Sequence, residues 1–296
     1  MGSGCFSARQ YLTRESYDVD AGDGLRLHVE ASGRGRSLVL LHGFTGSSKT
    51  WEPLRETLET NFRVMALDLP GHGRSSAPVD PRRYSLRRTA DDVACVLDEL
   101  EVKTTALMGY SMGGRAALHF AASHPDRLDA LVLESTSGGI SDAQEREERT
   151  LTDTNLADII HRQGMTPFVD RWEKLSLWES QSALPATARA ELRQQRLDND
   201  PIGLANSLRG AGAAVDPLTD EDLTAIETPA LLIAGALDHK YVAIARHLER
   251  IMQNAQTVIV PDAGHAVHLE RPRELAQATL EFLSDRPRVR DTSHRV

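Results

Sequence analysis

The chain has 296 residues, of which 40% are hydrophobic and 26% are charged. This composition is typical of a globular protein with a substantial core, and it excludes the disordered and fibrous classes. The formal net charge of -9 argues against a nucleic acid partner, because binding phosphates requires a basic surface.

The two ends of the chain predict neither a membrane anchor nor a secretory signal. The sequence has no apolar run of about 18 residues to span a bilayer, and the opening MGSGCFSARQ lacks the apolar stretch of a signal peptide. The same opening departs from the myristoylation motif at Phe6. We therefore expect a cytoplasmic protein without membrane insertion, in which residues 1–16 and 285–296 are flexible tails.

Apolar, strand-like runs alternate with helical patterns along most of the chain. SYDV and LRLHVEA come first, separated by the turn-rich AGDG, and they predict an antiparallel hairpin at one edge of a sheet. The runs SLVLLHG, FRVMALDLPG and TTALMGYS follow, with helices starting near Ser48, Ser85 and Met112. Later strands are predicted at LDALVLES, PALLIAG and QTVIVPD. This alternation predicts an α/β fold with a mostly parallel sheet and helices on both faces.

The helix after Ser85 has the clearest pattern, because Ser85 can cap its first turn and an apolar stripe follows at helical spacing. Cys95 falls on this apolar face, where a small hydrophobic residue is suitable. Together with Cys5 it makes only two cysteines, too few for a disulfide framework, and both are predicted to be free thiols. The stripe consists of Leu86, Ala90, Val93, Leu97 and Leu100.

The alternation stops between about Gly138 and Asp220, where charged helical sequence contains no strand-like run. We interpret residues 138–220 as a helical cap inserted over the carboxyl edge of the sheet. The α/β core is then expected to comprise residues 17–137 and 221–284.

A Gly-x-Ser-x-Gly pattern centres on Ser111, which follows the strand-like TTALMGY and precedes a helical run. A sharp strand-to-helix turn presents a nucleophile in this context, and Gly109 and Gly113 suit its close packing. By itself, the motif fits a simple connecting turn equally well. The other residues of the sequence must therefore decide between the two interpretations.

A serine nucleophile needs a base, and the base needs an acid to orient it. In this architecture the acid and the base follow the serine along the chain, each after a later strand. Asp238 follows PALLIAG and His265 follows QTVIVPD, so we predict a Ser111, His265, Asp238 catalytic set. Glu134 is the rival acid and is interpreted as supporting its loop. His268 is the rival base and is expected to face a helix that starts near Leu269.

Backbone N–H groups of Met112 and Phe44 are the candidates for an oxyanion hole, because one follows the nucleophile and the other follows an earlier strand. A metal cluster of Asp238, His239 and the two nearby histidines is the alternative interpretation. Its spacing matches no zinc pattern, so we predict neither a metal nor an organic cofactor.

Five segments resemble landmarks of the α/β-hydrolase fold: HGFTGSSKTW, LDLPGHGRSS, GYSMGG, GALD and AGHAVHLERP. The resemblance extends from about residue 17 to 284. This fold supports esterases, lyases, carbon-carbon hydrolases, peroxidases and noncatalytic receptors, so it does not by itself determine the function.

Finer detail resembles one subgroup, the 2-succinyl-6-hydroxy-2,4-cyclohexadiene-1-carboxylate synthases, which are lyases of menaquinone biosynthesis. The segments that carry this resemblance are GYSMGGR, ESTSGGISDAQEREERT, FVDRWEKLSLWESQ, LRQQRLDNDPIGLANSLRGAGA and HGFTGSSKTW. It implies elimination of pyruvate from the tricarboxylate 2-succinyl-5-enolpyruvyl-6-hydroxy-3-cyclohexene-1-carboxylate. The implied mechanism removes a proton next to the succinyl ketone while the oxyanion hole holds the enolate, without an acyl-enzyme.

The resemblance also implies a binding site for a small anionic carboxylate, in which arginine forks suit the charge. Taken alone, Arg149 within EREER is typical of an exposed helix face with an ion pair, whereas Arg115 lies beside the Ser111 turn and favours the site. The residues that match the family's binding positions are Tyr110, Arg115, Arg149, Trp172 and Arg196.

The chain departs from the family at GALDHK, where Gly-Glu-x-Asp is more common, and residues 1–16 and 285–296 have no counterpart. A carboxylesterase and a meta-cleavage carbon-carbon hydrolase are the alternative enzymes. A noncatalytic ligand-binding protein is the alternative from another class, and the complete serine, histidine and aspartate set argues against it.

Overall fold

The computed structural model describes residues 13–284, in which eight strands form one sheet in the order β1-β2-β4-β3-β5-β6-β7-β8. The strands are β1 (Glu15–Asp20), β2 (Arg26–Gly33), β3 (Arg36–Leu41), β4 (Phe62–Leu67), β5 (Thr105–Tyr110), β6 (Leu128–Glu134), β7 (Ala230–Gly235) and β8 (Ala255–Val260).

The predicted α/β fold and its hairpin edge are confirmed. Strands β1 and β2 pair antiparallel, β2 pairs antiparallel with β4, and every other neighbouring pair of this sheet is parallel. Strand β5 is buried along its whole length, which explains why its sequence reads as a continuous small and apolar run. The parallel strands bring their carboxyl ends, and the loops after them, to one edge.

Apolar side chains that alternate along the strands form two cores, one on each face of the sheet. Helices α2, α3, α8 and α9 contribute to one core, and α1, α10 and α11 contribute to the other. Their bounds are α1 (Glu52–Leu58), α2 (Leu86–Glu99), α3 (Met112–Ser123), α8 (Asp220–Thr224), α9 (His239–Ile251), α10 (Val267–Glu270) and α11 (Pro272–Ser284).

Four further helices lie between β6 and β7 along the chain, and we call them the cap helices: α4 (Ala143–Gln163), α5 (Met165–Trp172), α6 (Ala186–Leu197) and α7 (Pro201–Ala211). A 3-10 helix, Ser176–Ala183, connects α5 to α6. These elements have an apolar cluster of their own, against which Phe44 of the core packs. The helical insertion is therefore present, and division of the chain at residues 138 and 220 remains our proposal.

Helix α2 begins as predicted, because the Ser85 side chain accepts a hydrogen bond from Arg88 N at 3.4 Å. Its apolar stripe is buried. Cys95 is a free cysteine as predicted, but it is half-buried rather than covered by the apolar core, and its Sγ lies 3.6 Å from the Asp20 carbonyl oxygen. Cys5 lies outside the described residues.

The predicted tails fall largely outside the described residues, but β1 begins at Glu15, inside the segment assigned to the first tail. Within residues 13–284, no helix is long and apolar enough to cross a bilayer.

Candidate active site

Ser111 lies at the turn between β5 and α3 with φ 50° and ψ -108°, a conformation that is strained for a residue with a side chain. The flanking glycines let the turn pack closely. A Cβ atom on Gly113 would lie 2.1 Å from the Leu41 carbonyl oxygen, and one on Gly109 would lie 2.4 Å from the Gly113 carbonyl oxygen. Only glycine fits at either position without displacing backbone, so the motif has a steric reason.

We expect Gly113→Ala to destabilise the protein, because its new methyl group would overlap the backbone at the end of β3. Relieving that overlap requires α3 to move away from the sheet, at a cost of about 1–3 kcal/mol. Thermal denaturation of the variant and the wild type measures this effect. An unchanged melting temperature would show that α3 can shift to accept the methyl group without a loss of stability.

The structure brings Ser111, His265 and Asp238 together from the ends of three strands. Ser111 Oγ lies 3.2 Å from His265 Nε2, and His265 Nδ1 lies 2.7 Å from Asp238 Oδ2. With Nδ1 donating to the carboxylate, Nε2 is free to accept the serine proton. His265 is 2% exposed, so this hydrogen bond is protected from water.

Asp238 has a second role, because its Oδ1 accepts a hydrogen bond from Tyr241 N at 3.3 Å and caps α9. The cap fixes the carboxylate from one side while His265 engages it from the other. Helix formation and orientation of the imidazole therefore depend on the same side chain.

The rival acid and the rival base pair with each other instead. Glu134 Oε1 accepts hydrogen bonds from His268 N at 3.0 Å and from His268 Nδ1 at 2.9 Å, and both side chains are buried. Helix α10 starts at Val267, so His268 lies within it rather than before a helix at Leu269. Tyr110 separates the two histidines, with ring centroids 4.4 Å from His268 and 5.4 Å from His265.

The two candidate oxyanion donors lie at the site. Among the described residues, the backbone N–H groups of Phe44 and Met112 have no hydrogen-bond acceptor. Both residues line the same cavity as Ser111. An anionic oxygen bound in that cavity can therefore accept hydrogen bonds from both N–H groups.

Buried His42 fixes the loop that carries Phe44. Its Nδ1 is 2.8 Å from the Gly43 carbonyl oxygen, and its Nε2 accepts from Leu69 N at 3.0 Å. Burial lowers the pKa of His42 to about 4, so the ring is neutral near pH 7 and its Nδ1–H donates to Gly43. The loop is therefore held by an uncharged imidazole of fixed tautomer.

A cavity of about 90 Å³ adjoins Ser111, and the core and the cap helices both supply its walls. Two predicted binding arginines lie on the wall, Arg115 from α3 and Arg149 from α4. Aromatic and polar side chains on the same wall include Tyr110, Trp172, Trp178, Ser207, Tyr241 and His265.

Arg115 is a buried cation beside Ser111. Its two terminal nitrogens donate to the carbonyl oxygens of Ala211 and Gly212, each at 2.8 Å, at the end of α7. Burial lowers the pKa of Arg115 to about 10, which leaves the guanidinium charged near pH 7. Among residues 13–284 no carboxylate forms a direct ion pair with it, and the Asp153 carboxylate, which pairs with Arg149, acts on it only from a distance.

The model of the alpha/beta hydrolase fold family matches residues 36–272. A Bacillus subtilis (strain 168) protein, provisionally named 2-succinyl-6-hydroxy-2,4-cyclohexadiene-1-carboxylate synthase, is 42% identical over 269 residues, which cover 90% of this chain and 98% of that protein. The chain belongs to the α/β-hydrolase fold family and, within it, to this synthase family.

Solved structures agree with this family. MenH from S. aureus has a TM-score of 0.82 and 33% identity, with 92% of this chain and 98% of that chain covered. A thermophilic esterase from Thermogutta terrifontis, solved with malate bound, has a TM-score of 0.78 and 28% identity over 92% of this chain and 98% of its own.

In this member of the synthase family, Arg149 both forms an ion pair on its helix and contributes to the cavity wall. Its Nε donates to Asp153 Oδ1 at 2.8 Å, four residues along α4, and its side chain also lines the cavity. Asp153 is buried and its Oδ2 lacks a hydrogen-bond partner. Burial raises the pKa of Asp153, because the charged carboxylate is poorly solvated there.

Arg196 is the one predicted arginine that the structure does not place on the Ser111 cavity. Its terminal nitrogens donate to Glu173 Oε1 at 2.9 Å and to Gln181 Oε1 at 3.2 Å, and its guanidinium lies over the Trp178 ring at 5.5 Å. Arg196 instead lines an adjacent small cavity that also contacts Tyr110.

Among the polar and aromatic side chains that line the Ser111 cavity, the sequence did not identify Trp178, Ser207 and Tyr241. The Tyr241 ring lies 4.5 Å from the His265 ring, and the Trp178 ring lies 5.5 Å from it. Tyr241 could have been found, because it is three residues beyond Asp238 and so shares its helix face. Trp178 lies in a 3-10 helix and Ser207 on α7, where no local pattern indicates the site.

The alternative metal cluster is dispersed. His239 is exposed, while His265 pairs with Asp238 and His268 pairs with Glu134. Within residues 13–284, no group of three or more His, Cys, Asp or Glu side chains is arranged to hold a metal ion.

Proposed function

We propose that this protein is a carbon-oxygen lyase that eliminates pyruvate from 2-succinyl-5-enolpyruvyl-6-hydroxy-3-cyclohexene-1-carboxylate. The buried charge of Arg115 on the wall of the Ser111 cavity carries the proposal. Among the described residues Arg115 has no direct ion pair, and the nearby Asp153 is already paired with Arg149. A buried positive charge in that position is costly unless a ligand supplies further negative charge. A tricarboxylate substrate supplies it.

The reacting groups fit proton abstraction from carbon. His265 accepts the Ser111 proton, and Ser111 Oγ then takes the proton from the ring carbon that bears the succinyl group. The electron pair of the broken C–H bond moves toward the succinyl ketone, whose oxygen becomes an enolate. Phe44 N–H and Met112 N–H stabilise that oxygen, because they are preorganised donors in a site shielded from water.

Collapse of the enolate completes the elimination. The ketone re-forms, the ring double bond shifts, and the ring C–O bond to the enolpyruvyl group breaks. The departing enolpyruvate gains a proton on its methylene carbon and becomes pyruvate, which balances the proton lost from the ring carbon. No bond between Ser111 and the substrate is needed.

Admission of this substrate requires the cap helices to move. The cavity of about 90 Å³ is far smaller than the roughly 300–1,000 Å³ of typical ligand sites. Trp172 and Trp178 form part of its wall on the cap side. In the proposed reaction they close over the bound substrate and exclude water from the enolate.

Ester hydrolysis is the second candidate, because the same groups support acyl transfer and the structure resembles an esterase. In that reaction Ser111 attacks a carbonyl carbon and forms an acyl-enzyme. The two reactions differ in their need for charge, since a small neutral ester has no carboxylate to place against Arg115 or Arg149.

A coupled assay for pyruvate release tests the proposal directly. We expect rapid pyruvate release from the enolpyruvyl tricarboxylate, at a kcat/KM at least 100-fold above that for simple neutral esters, which corresponds to about 2.7 kcal/mol of transition-state binding. Efficient hydrolysis of the esters without pyruvate release would favour the esterase. Turnover of neither substrate class would contradict both.

A further inference from the structure

The Arg196 guanidinium is held by a carboxylate of the protein itself. Arg196 lies on α6 and is 5% exposed. Its ion pair with Glu173 and its hydrogen bond to Gln181 use two nitrogens, while its Nε is buried without a hydrogen-bond partner among the described residues. The guanidinium is therefore incompletely satisfied even with Glu173 in place.

One aromatic ring separates this arginine from the catalytic histidine. Trp178 has the Arg196 guanidinium 5.5 Å from its ring centroid and the His265 ring at the same distance, 5.5 Å. Trp178 lines the Ser111 cavity as well as the small cavity that Arg196 shares with Tyr110. A shift of Trp178 would therefore expose Arg196 to a ligand at Ser111.

Glu173 is more accessible than the arginine it holds. Its side chain is 26% exposed, and it borders a groove of about 730 Å³ between the 3-10 helix Ser176–Ala183 and α6. Its second oxygen accepts from Arg193 at 2.7 Å, and Arg193 also pairs with Asp170 at 2.6 Å. Glu173 can thus leave Arg196 without losing its other ion pair.

We propose that Glu173 occupies the position of a substrate carboxylate on Arg196, and that an anionic substrate displaces it when the cap helices rearrange. The proposal deepens the function proposed above and rests on it. Glu173 acts as a specificity-determining residue in this arrangement, because only a ligand with its own carboxylate compensates Arg196 for the lost ion pair. Binding of the substrate is correspondingly weakened by the competition.

Glu173→Gln tests this competition, with Asp170→Asn as the matched control. Both variants remove a carboxylate from the Arg193 network, but only Glu173 contacts Arg196. We expect Glu173→Gln to lower KM for the tricarboxylate about 3- to 10-fold, with kcat nearly unchanged. This range lies between an exposed ion pair and the lower limit for a buried hydrogen bond to a charged group, because Glu173 is partly exposed. KM for a neutral ester should not change, and Asp170→Asn should leave both values at wild type.

Equilibrium binding of succinate provides a readout that does not depend on the reaction. Isothermal titration calorimetry should show tighter succinate binding to Glu173→Gln, and also to Glu173→Met, which removes the acceptor at similar length. A higher KM or weaker succinate binding in these variants would overturn the proposal, because Glu173 would then be orienting Arg196 for the substrate. Equal changes on the neutral ester would also overturn it. Absence of pyruvate release by the wild type would contradict the proposed function, while the succinate measurement would still test Glu173.

Discussion

Ser111→Ala, His265→Ala and Asp238→Asn should each lower kcat/KM for pyruvate release by about 10³-fold or more, because the three groups act as one unit. The distances of 3.2 Å and 2.7 Å that connect them already permit proton transfer. Their effects should not add, so the Ser111→Ala, His265→Ala double variant is expected to be no worse than Ser111→Ala alone. Steady-state kinetics measures the loss, and thermal denaturation checks folding.

Glu134→Gln is the matched control for the acid, since it neutralises the other carboxylate at the edge of the sheet. We expect it to keep most of the activity, because Glu134 pairs with His268 rather than with His265. Asparagine is the informative change at Asp238, since its side-chain oxygen can still cap α9. An active Asp238→Asn beside an inactive Glu134→Gln would show that the acid lies on β6.

The second large effect concerns the two arginines on the cavity wall. Arg115→Ala and Arg149→Ala should each lower kcat/KM for the tricarboxylate by about 10- to 150-fold, the value of one hydrogen bond to a charged group. Hydrolysis of a small neutral ester should be spared. The same loss is expected for Arg196→Ala, through the carboxylate contact proposed above. Lysine should recover only part of the activity at these positions, because it lacks the bidentate fork.

Arg162→Ala is a matched control on the same helix as Arg149. Arg162 pairs with Asp158 four residues earlier, but its side chain is 75% exposed and is not part of the cavity wall. We expect no change on either substrate. Equal losses on the tricarboxylate and the ester in Arg115→Ala would instead assign that arginine to structure, through its hydrogen bonds to the end of α7.

The sequence was most informative where local pattern and topology coincide. Ser111, Asp238 and His265 each follow a strand-like run, and parallel strands bring such positions to one edge whatever the details of packing. The glycines at 109 and 113 alone fitted a simple connecting turn equally well, and the structure supplies the steric reason for them. The sheet followed from the alternation of strand-like and helical runs, and the hairpin followed from two such runs separated by the turn-rich AGDG.

Contacts between the cap helices could not be predicted in the same way. The partner of Arg196 depends on how α5 and α6 rotate against each other, and Glu173 lies 23 residues away in sequence. Several acidic residues in the cap were equally plausible partners before the packing was known. Cys95 could not be placed correctly for a similar reason. Helical spacing puts it beside the apolar stripe of α2, but spacing does not show which side chains at the edge of the stripe are covered by neighbouring elements.

Two separate parts of the chain form the walls of the cavity, and this division has a consequence for evolution. The proposed reacting groups come from loops of the α/β core, whereas Arg149, Trp172, Trp178 and Ser207 come from the segment between β6 and β7. If the proposed roles hold, substitutions in that one continuous stretch change which substrate binds while leaving proton transfer intact. A descendant of this chain could acquire a new substrate through changes in its cap alone. Replacing residues 138–220 with the corresponding segment of a relative would produce the same change of substrate in the laboratory.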